Sequence, residues 1–327
     1  PIWLMRQAGR FDPAYRELRG KARLELEELF ASPRHAADIT VLPLRFGVDA
    51  AILFQDILTL LAPMGARFVF RPGPVLEQRI TTADDADRLQ AYDPVKSLEF
   101  VYESIHLTLD KIEGRAPLLG FAGAPMTLLN FLVCGRSPGG SSELLETFVR
   151  HNESAADRLL ERLSDLTIAY LREKIRVGVH AVQVFESSAD LVDETTYARW
   201  ALPYQQRVFA GLAGCGVPTV LFAKGVAPAA MVRSGASVIS VGSSVSIAEA
   251  RTAAPSGGVQ GNVDNQLLRN ATPKEIRRVA EACIREGEHS GHVLNLGHGI
   301  LKDTPVENVE AMIAAAHECV FESKGIV

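Results

Sequence analysis

Leu118-Leu119-Gly120-Phe121, followed almost at once by Gly123-Ala124-Pro125-Met126-Thr127, sets the pattern from which the fold is read. A short apolar run ends, glycine and proline break it, and a helix-like stretch follows. Near-continuous apolar runs of this length mark strands covered on both faces. Similar runs lie at Ile2–Leu4, Ala50–Phe54, Ala181–Phe185, Thr219–Phe222, Val238–Val241, Gly258–Gly261 and Val293–Leu296, which makes eight.

Amphipathic stretches with good start signals separate these runs. Ser32-Pro33 places a cap before a proline at the first helical position, and Thr272-Pro273-Lys274-Glu275 and Thr304-Pro305-Val306-Glu307 add capping-box spacing. Ser141 to Val177 is long enough for two helices, jointed near Asn152-Glu153-Ser154. Several connections are too long for hairpins and long enough for helical crossovers. Eight strands separated by helices predict an α/β fold, a single (β/α)8 barrel domain over residues 1–327. The alternative, a doubly wound open sheet, lacks its Gly-x-Gly-x-x-Gly fingerprint.

Composition excludes some partners. With 47% hydrophobic and 22% charged residues and a net charge of −5, the chain reads as a soluble globular protein without general affinity for nucleic acid or an anionic membrane. Attraction for an anionic ligand must therefore be local. Four widely spaced cysteines without Cys-x-x-Cys fit free thiols in the cytoplasm. No signal peptide is read at Pro1, and a preceding segment is compatible with the apolar start. Val48 to Ala66, broken by Gln55, Asp56 and Pro63, is a poor membrane span.

In a barrel the site collects at the C-terminal ends of the strands. There the sequence places Met5-Arg6-Gln7-Ala8-Gly9-Arg10, Gln55-Asp56, Phe131, Glu186-Ser187-Ser188, Lys224, Gly242-Ser243-Ser244, Asn262 with Asp264, and Gly297-His298-Gly299. Arg6 and Arg10 are either a solvated loop or a pair of forks for carboxylates or phosphates. Asp56, between Ile52-Leu53-Phe54 and Ile57-Leu58, is either a helix cap or a carboxylate at the floor of an apolar cleft. His298, between two glycines, is either a tight-turn residue or one that approaches a ligand. Ser187 lacks the Gly-x-Ser-x-Gly elbow of a hydrolase nucleophile. His317-Glu318-Cys319 lies in a helix pattern, where residues two apart do not face each other, so no metal site is expected.

Pro1-Ile2-Trp3-Leu4-Met5-Arg6-Gln7-Ala8-Gly9-Arg10, with Tyr15-Arg16-Glu17-Leu18-Arg19 behind it, closely resembles the opening signature of the uroporphyrinogen decarboxylase family. Gly120-Phe121-Ala122-Gly123-Ala124-Pro125-Met126-Thr127-Leu128, Phe54-Gln55-Asp56, Phe185-Glu186-Ser187 and Asn295-Leu296-Gly297-His298-Gly299 resemble further motifs of that family. The resemblance implies a barrel that forms a homodimer. It also implies a cofactor-independent, metal-free enzyme that converts the four acetates of uroporphyrinogen to methyl groups, giving coproporphyrinogen in haem and chlorophyll biosynthesis. On this resemblance Asp56, Arg6 and Arg10 are catalytic. Arg6, Gln7, Ala8, Gly9, Arg10, Asp56, Phe131, Ser187 and His298 bind the substrate.

Phe131 stands where the family usually has tyrosine, and Asn265 where it usually has proline. These departures keep a paralogue in view: a cobamide- or thiol-dependent methyltransferase, or a tetrapyrrole-binding protein with weak catalysis. The methyltransferase would need thiolate zinc ligands at strand ends, and the sequence offers none there.

Overall fold

Consecutive side chains of the apolar runs point into two different cores. The computed structural model, which describes residues 1–71, 73–287 and 291–319, resolves this directly. Trp3, Met5, Ala50, Ile52, Leu119, Phe121 and Phe222 form one buried cluster. Their chain neighbours Ile2, Leu4, Ala51, Leu53, Leu118, Ala122 and Leu221 belong to another, larger one. A strand whose alternate residues enter separate cores has no polar face, which is why these runs read as nearly unbroken apolar stretches.

In chain order the strands are β1 (Ala51–Ile52), β2 (Phe68–Phe70), β3 (Pro74–Leu76), β4 (Leu118–Gly123), β5 (Ala181–Glu186), β6 (Thr219–Ala223), β7 (Val238–Ser240), β8 (Gly258–Val263) and β9 (His292–Leu296). Seven form one parallel sheet in the order β1-β4-β5-β6-β7-β8-β9. β2 and β3 pair antiparallel as a separate hairpin, which the sequence reading did not include.

The expected strand Ile2–Leu4 is reduced to a single parallel bridge between Ile2 and Leu294. Side chains take the ladder's place there. The N–H groups of Ile2, Leu4 and Met5 donate to Asp49 Oδ2 (2.7 Å), Gln7 Oε1 (3.0 Å) and Asn295 Oδ1 (2.9 Å). The segment still touches both edges of the sheet. Leu294 N–H donates to Pro1 O and Asp49 N–H, just before β1, donates to Ile2 O (2.9 and 2.8 Å).

Buried polar groups between the strands satisfy one another. Trp3 Nε1 donates to Gln260 Oε1 (2.9 Å), and Gln260 Nε2 donates to Gln183 Oε1 (3.0 Å) and Ser240 Oγ (2.9 Å). Helix starts follow the sequence with two corrections. Thr272 forms its capping box, and Asn152 separates helices Glu143–His151 and Glu153–Val177. Ser32 occupies a cap position, but its hydroxyl pairs with His35 Nδ1 instead. Thr304 caps nothing, because the last helix starts at Val306 with Pro305 as its N-cap.

Candidate active site

Arg6 sits where a glycine would be expected. Gln7 N–H donates to Leu4 O (2.9 Å), closing a turn in which Arg6 has φ 62°. An L-residue in this left-handed region costs of order 1–3 kcal/mol, and such strain clusters at functional sites. The turn is held from outside, since Ile300 N–H donates to Met5 O (2.9 Å). A Cβ on Gly299 would lie 2.4 Å from Arg6 Cδ, so the bare glycine leaves room for the arginine stem.

The turn opens into a cavity of about 790 Å³ at the C-terminal ends of the strands. Arg6, Ala8, Gly9, Arg10, Asp56, Phe131, Ser187 and His298 all line it. Gln7, expected in the binding set, does not line it. Its side chain is buried and spent on the fold, with Oε1 accepting from Leu4 N–H and Nε2 donating to Ala50 O (2.9 Å). Other polar groups at strand ends are also spent on the fold. Lys224 pairs with Asp190 (2.8 Å), Asp264 caps helix Asn265–Asn270, and Asn262 donates to Gly242 O (2.9 Å). His317 pairs with Asp49 (3.1 Å). Among the described residues no group of three or more His, Cys, Asp or Glu side chains is placed to hold a metal ion.

Asp56 caps no helix, because residues 57–61 form a turn and the next helical element is Ala62–Met64 with Leu61 as its N-cap. Asp56 Oδ1 accepts from Leu58 N–H at 2.7 Å, which orders the turn after β1, and the residue also faces the cavity. Burial among apolar neighbours pushes its pKa up to about 6, against the opposing pull of the Leu58 and Ile57 N–H groups and the Arg6 cation. Arg6 itself is pulled below the usual guanidinium range by desolvation, an effect Asp56 partly offsets.

His298 is held neutral. Burial, then the nearby Arg6 and Lys224 cations, push its pKa down to about 4. Its ring meets Phe222 at 6.2 Å, and Phe222, Phe185 and Phe121 continue edge-to-face at 5.9 and 5.5 Å.

Ser187 is placed by a buried relay. Thr127 Oγ1 accepts from Ser187 N–H (2.8 Å) and donates to Glu186 Oε1 (2.5 Å), while Gln205 Nε2 donates to Glu186 Oε2 (3.1 Å). Complete burial raises the Glu186 pKa to about 7.

The cavity has two unlike halves. Strands β5 and β6 and the segments that follow β4 and β5 contribute Phe131, Phe185, Ser187 and Phe222, none of them charged. Elements following β8, β9 and the Ile2 bridge contribute Arg269, Lys302, Arg6, Arg10 and Arg19. With Asp56 and Asp303 the only lining carboxylates among the described residues, the formal balance is +3 in a chain of net −5. Such a cleft attracts anions locally.

The sequence reading did not assign Tyr15, Arg19, Arg269 or Lys302 to the site. Tyr15 and Arg19 carried a signal, being four apart and so on one face of helix Pro13–Ala22. Arg269 lies on a short helix and Lys302 in a loop, without a pattern that would mark them.

The family described as uroporphyrinogen decarboxylase matches residues 1–319. Proteins named uroporphyrinogen decarboxylase from Syntrophotalea carbinolica and Carboxydothermus hydrogenoformans are each 37% identical to this chain. Both comparisons cover 97% of it, and 93% and 92% of the relatives. Among solved structures, a methyltransferase from Methanosarcina mazei superposes with a TM-score of 0.81 at 19% identity, over 97% of this chain and 93% of that one. A B12-independent methionine synthase from Shewanella sp. W3-18-1 gives 0.58 at 14% identity, over 97% and 94%. At these identities the structural likeness concerns the fold alone.

Proposed function

The chain belongs to the uroporphyrinogen decarboxylase family, and from that premise we propose that the cavity binds uroporphyrinogen and removes carbon dioxide from its four acetates. The enzyme is a carboxy-lyase of tetrapyrrole biosynthesis. The single observation that carries the site is the convergence of Arg6, Arg10 and Asp56 in one cavity with an aromatic opposite half.

A porphyrinogen has carboxylates around its rim and pyrrole N–H groups at its centre. The arginines supply charge-assisted forks for the first. Asp56 supplies an acceptor for the second. Decarboxylation needs an electron sink, and a pyrrole protonated at the ring carbon beside the acetate provides one. The C–C bond electrons flow into the cationic ring as carbon dioxide leaves. The methylene carbon then takes one proton and the ring carbon returns one, so each turnover consumes one proton per acetate and yields one methyl group. Ionised Asp56 stabilises the pyrrole cation where it develops. Neutral His298 and Ser187 serve as hydrogen-bonding groups, and Arg6 and Arg10 bind and orient first. The Gln7 side chain ties Leu4 to Ala50 and does not touch substrate.

We read the seven-stranded sheet with the Ile2 bridge as one eight-stranded barrel domain, and a cytoplasmic homodimer as its assembly. Anaerobic incubation with uroporphyrinogen, with chromatographic separation of hepta- to tetracarboxylate products, tests the reaction. Coproporphyrinogen formed without added cofactor is the expected result. Unchanged substrate refutes the reading.

A further inference from the structure

Arg269 and Lys302 reach the cavity from two elements that are tied together. Arg269 Nη1 lies 3.6 Å from Asp303 Oδ2, on the loop that also carries Lys302. Asn265, one turn before Arg269, donates from Nδ2 to Gly299 O (2.7 Å) at the base of that loop. Asn308 fixes the helix from below, its buried Nδ2 donating to Leu268 O and Ala271 O, both at 2.8 Å. The two cations are therefore presented by a braced helix–loop pair.

Their exposure places them outward. The Arg269 side chain is 34% exposed and that of Asp303 57% exposed, whereas Asp56 is ringed by apolar side chains. An ion pair this open is weak and readily exchanged. Asp303 occupies Arg269 as a carboxylate, the same group the substrate carries.

We infer that Arg269 and Lys302 form an outer subsite for the propionate carboxylates of a porphyrinogen, with Asp303 as an internal carboxylate that substrate displaces. The inference rests on the decarboxylase reading and adds to it. The acetates must reach the inner groups that act on them. The propionates survive the reaction and need only be held, which suits braced cations at the mouth. Groups that bind unreacting parts of a substrate alike in ground and transition states affect KM more than kcat.

The test uses Arg269→Gln, Lys302→Gln, the double variant and Asp303→Asn in the full chain. The double variant is expected to raise KM for uroporphyrinogen about tenfold while kcat changes less than threefold. Asp303→Asn is expected to lower KM. Anaerobic binding of coproporphyrinogen, which keeps the propionates and lacks the acetates, reads the subsite without turnover. Its Kd should rise in the double variant by the same factor as KM. An unchanged Kd, or a loss confined to kcat, overturns the subsite. A parent protein that binds coproporphyrinogen through these cations but leaves uroporphyrinogen intact supports the subsite and refutes the decarboxylase reading instead.

Discussion

Asp56→Asn should make the protein more stable and much less active. In the folded chain the Asp56 pKa rises from 3.8 to about 6, chiefly through burial. The fold therefore prefers the neutral acid. The penalty for holding the anion is absent below the unfolded pKa, grows between about pH 4 and pH 6, and is complete above that. Two pKa units correspond to about 3 kcal/mol. Asparagine has no charge to desolvate, and its side-chain oxygen can still accept the Leu58 N–H. A gain of about 1–3 kcal/mol at pH 7.5 follows. With about 2.1 cal/mol/K of unfolding entropy per residue, this is roughly 2–4 °C in Tm. At pH 5 the gain should fall by about half. The reaction responds in the opposite direction. A unit charge about 4 Å from a developing cation, at an effective dielectric near 20, is worth about 4 kcal/mol. Loss of one preorganised group of this kind typically reduces turnover by about 10²–10³. Thermal unfolding at both pH values and anaerobic product chromatography read the two effects on one preparation. Turnover within about fivefold of the parent, or a lower Tm at pH 7.5, would refute the assigned role.

On the proposed mechanism, in which only ionised Asp56 stabilises the pyrrole cation, the pH profile of kcat/KM should show an acidic limb near 6, rising tenfold per pH unit below it; a limb that survives in Asp56→Asn would belong to another group. Gly299→Ala forces a methyl group to within 2.4 Å of Arg6 Cδ and should lower kcat/KM at least tenfold through displacement of the guanidinium, with circular dichroism unchanged. Gln7→Ala removes two buried hydrogen bonds and should cost about 2–4 kcal/mol in urea unfolding, while KM of the remaining folded enzyme stays within about threefold. Phe131→Tyr adds a hydroxyl to the uncharged half of the cavity and should raise kcat/KM severalfold, since one hydrogen bond to a charged group is worth about 1.5–3 kcal/mol; a decrease would show that this wall has no room for it.

Most of the sheet was legible because its signal is local. Leu118–Phe121 carries no polar side chain and Ala181–Phe185 only Gln183, and strands packed on both faces need such runs. Glycine, proline and polar residues at their ends marked where the chain turns toward the cavity. That same local signal overran at Ile2–Leu4. It cannot show that Asp49, Gln7 and Asn295 side chains would replace a strand's ladder.

Chain order likewise placed Arg6, Arg10, Asp56, Ser187 and His298 at strand ends, and so near one another. It could not separate Gln7 from its neighbours, because its amide is turned inward by Leu4 and Ala50, partners that only folding supplies. Nor could it show the left-handed turn that aims Arg6, the burial that raises Asp56 to about 6 and holds His298 near 4, or the arrival of Arg269 and Lys302. Apolar periodicity and turn chemistry are written within a few residues of one another. Desolvation, strain and convergence depend on atoms that the chain brings together across hundreds of positions, and those the tertiary structure alone decides.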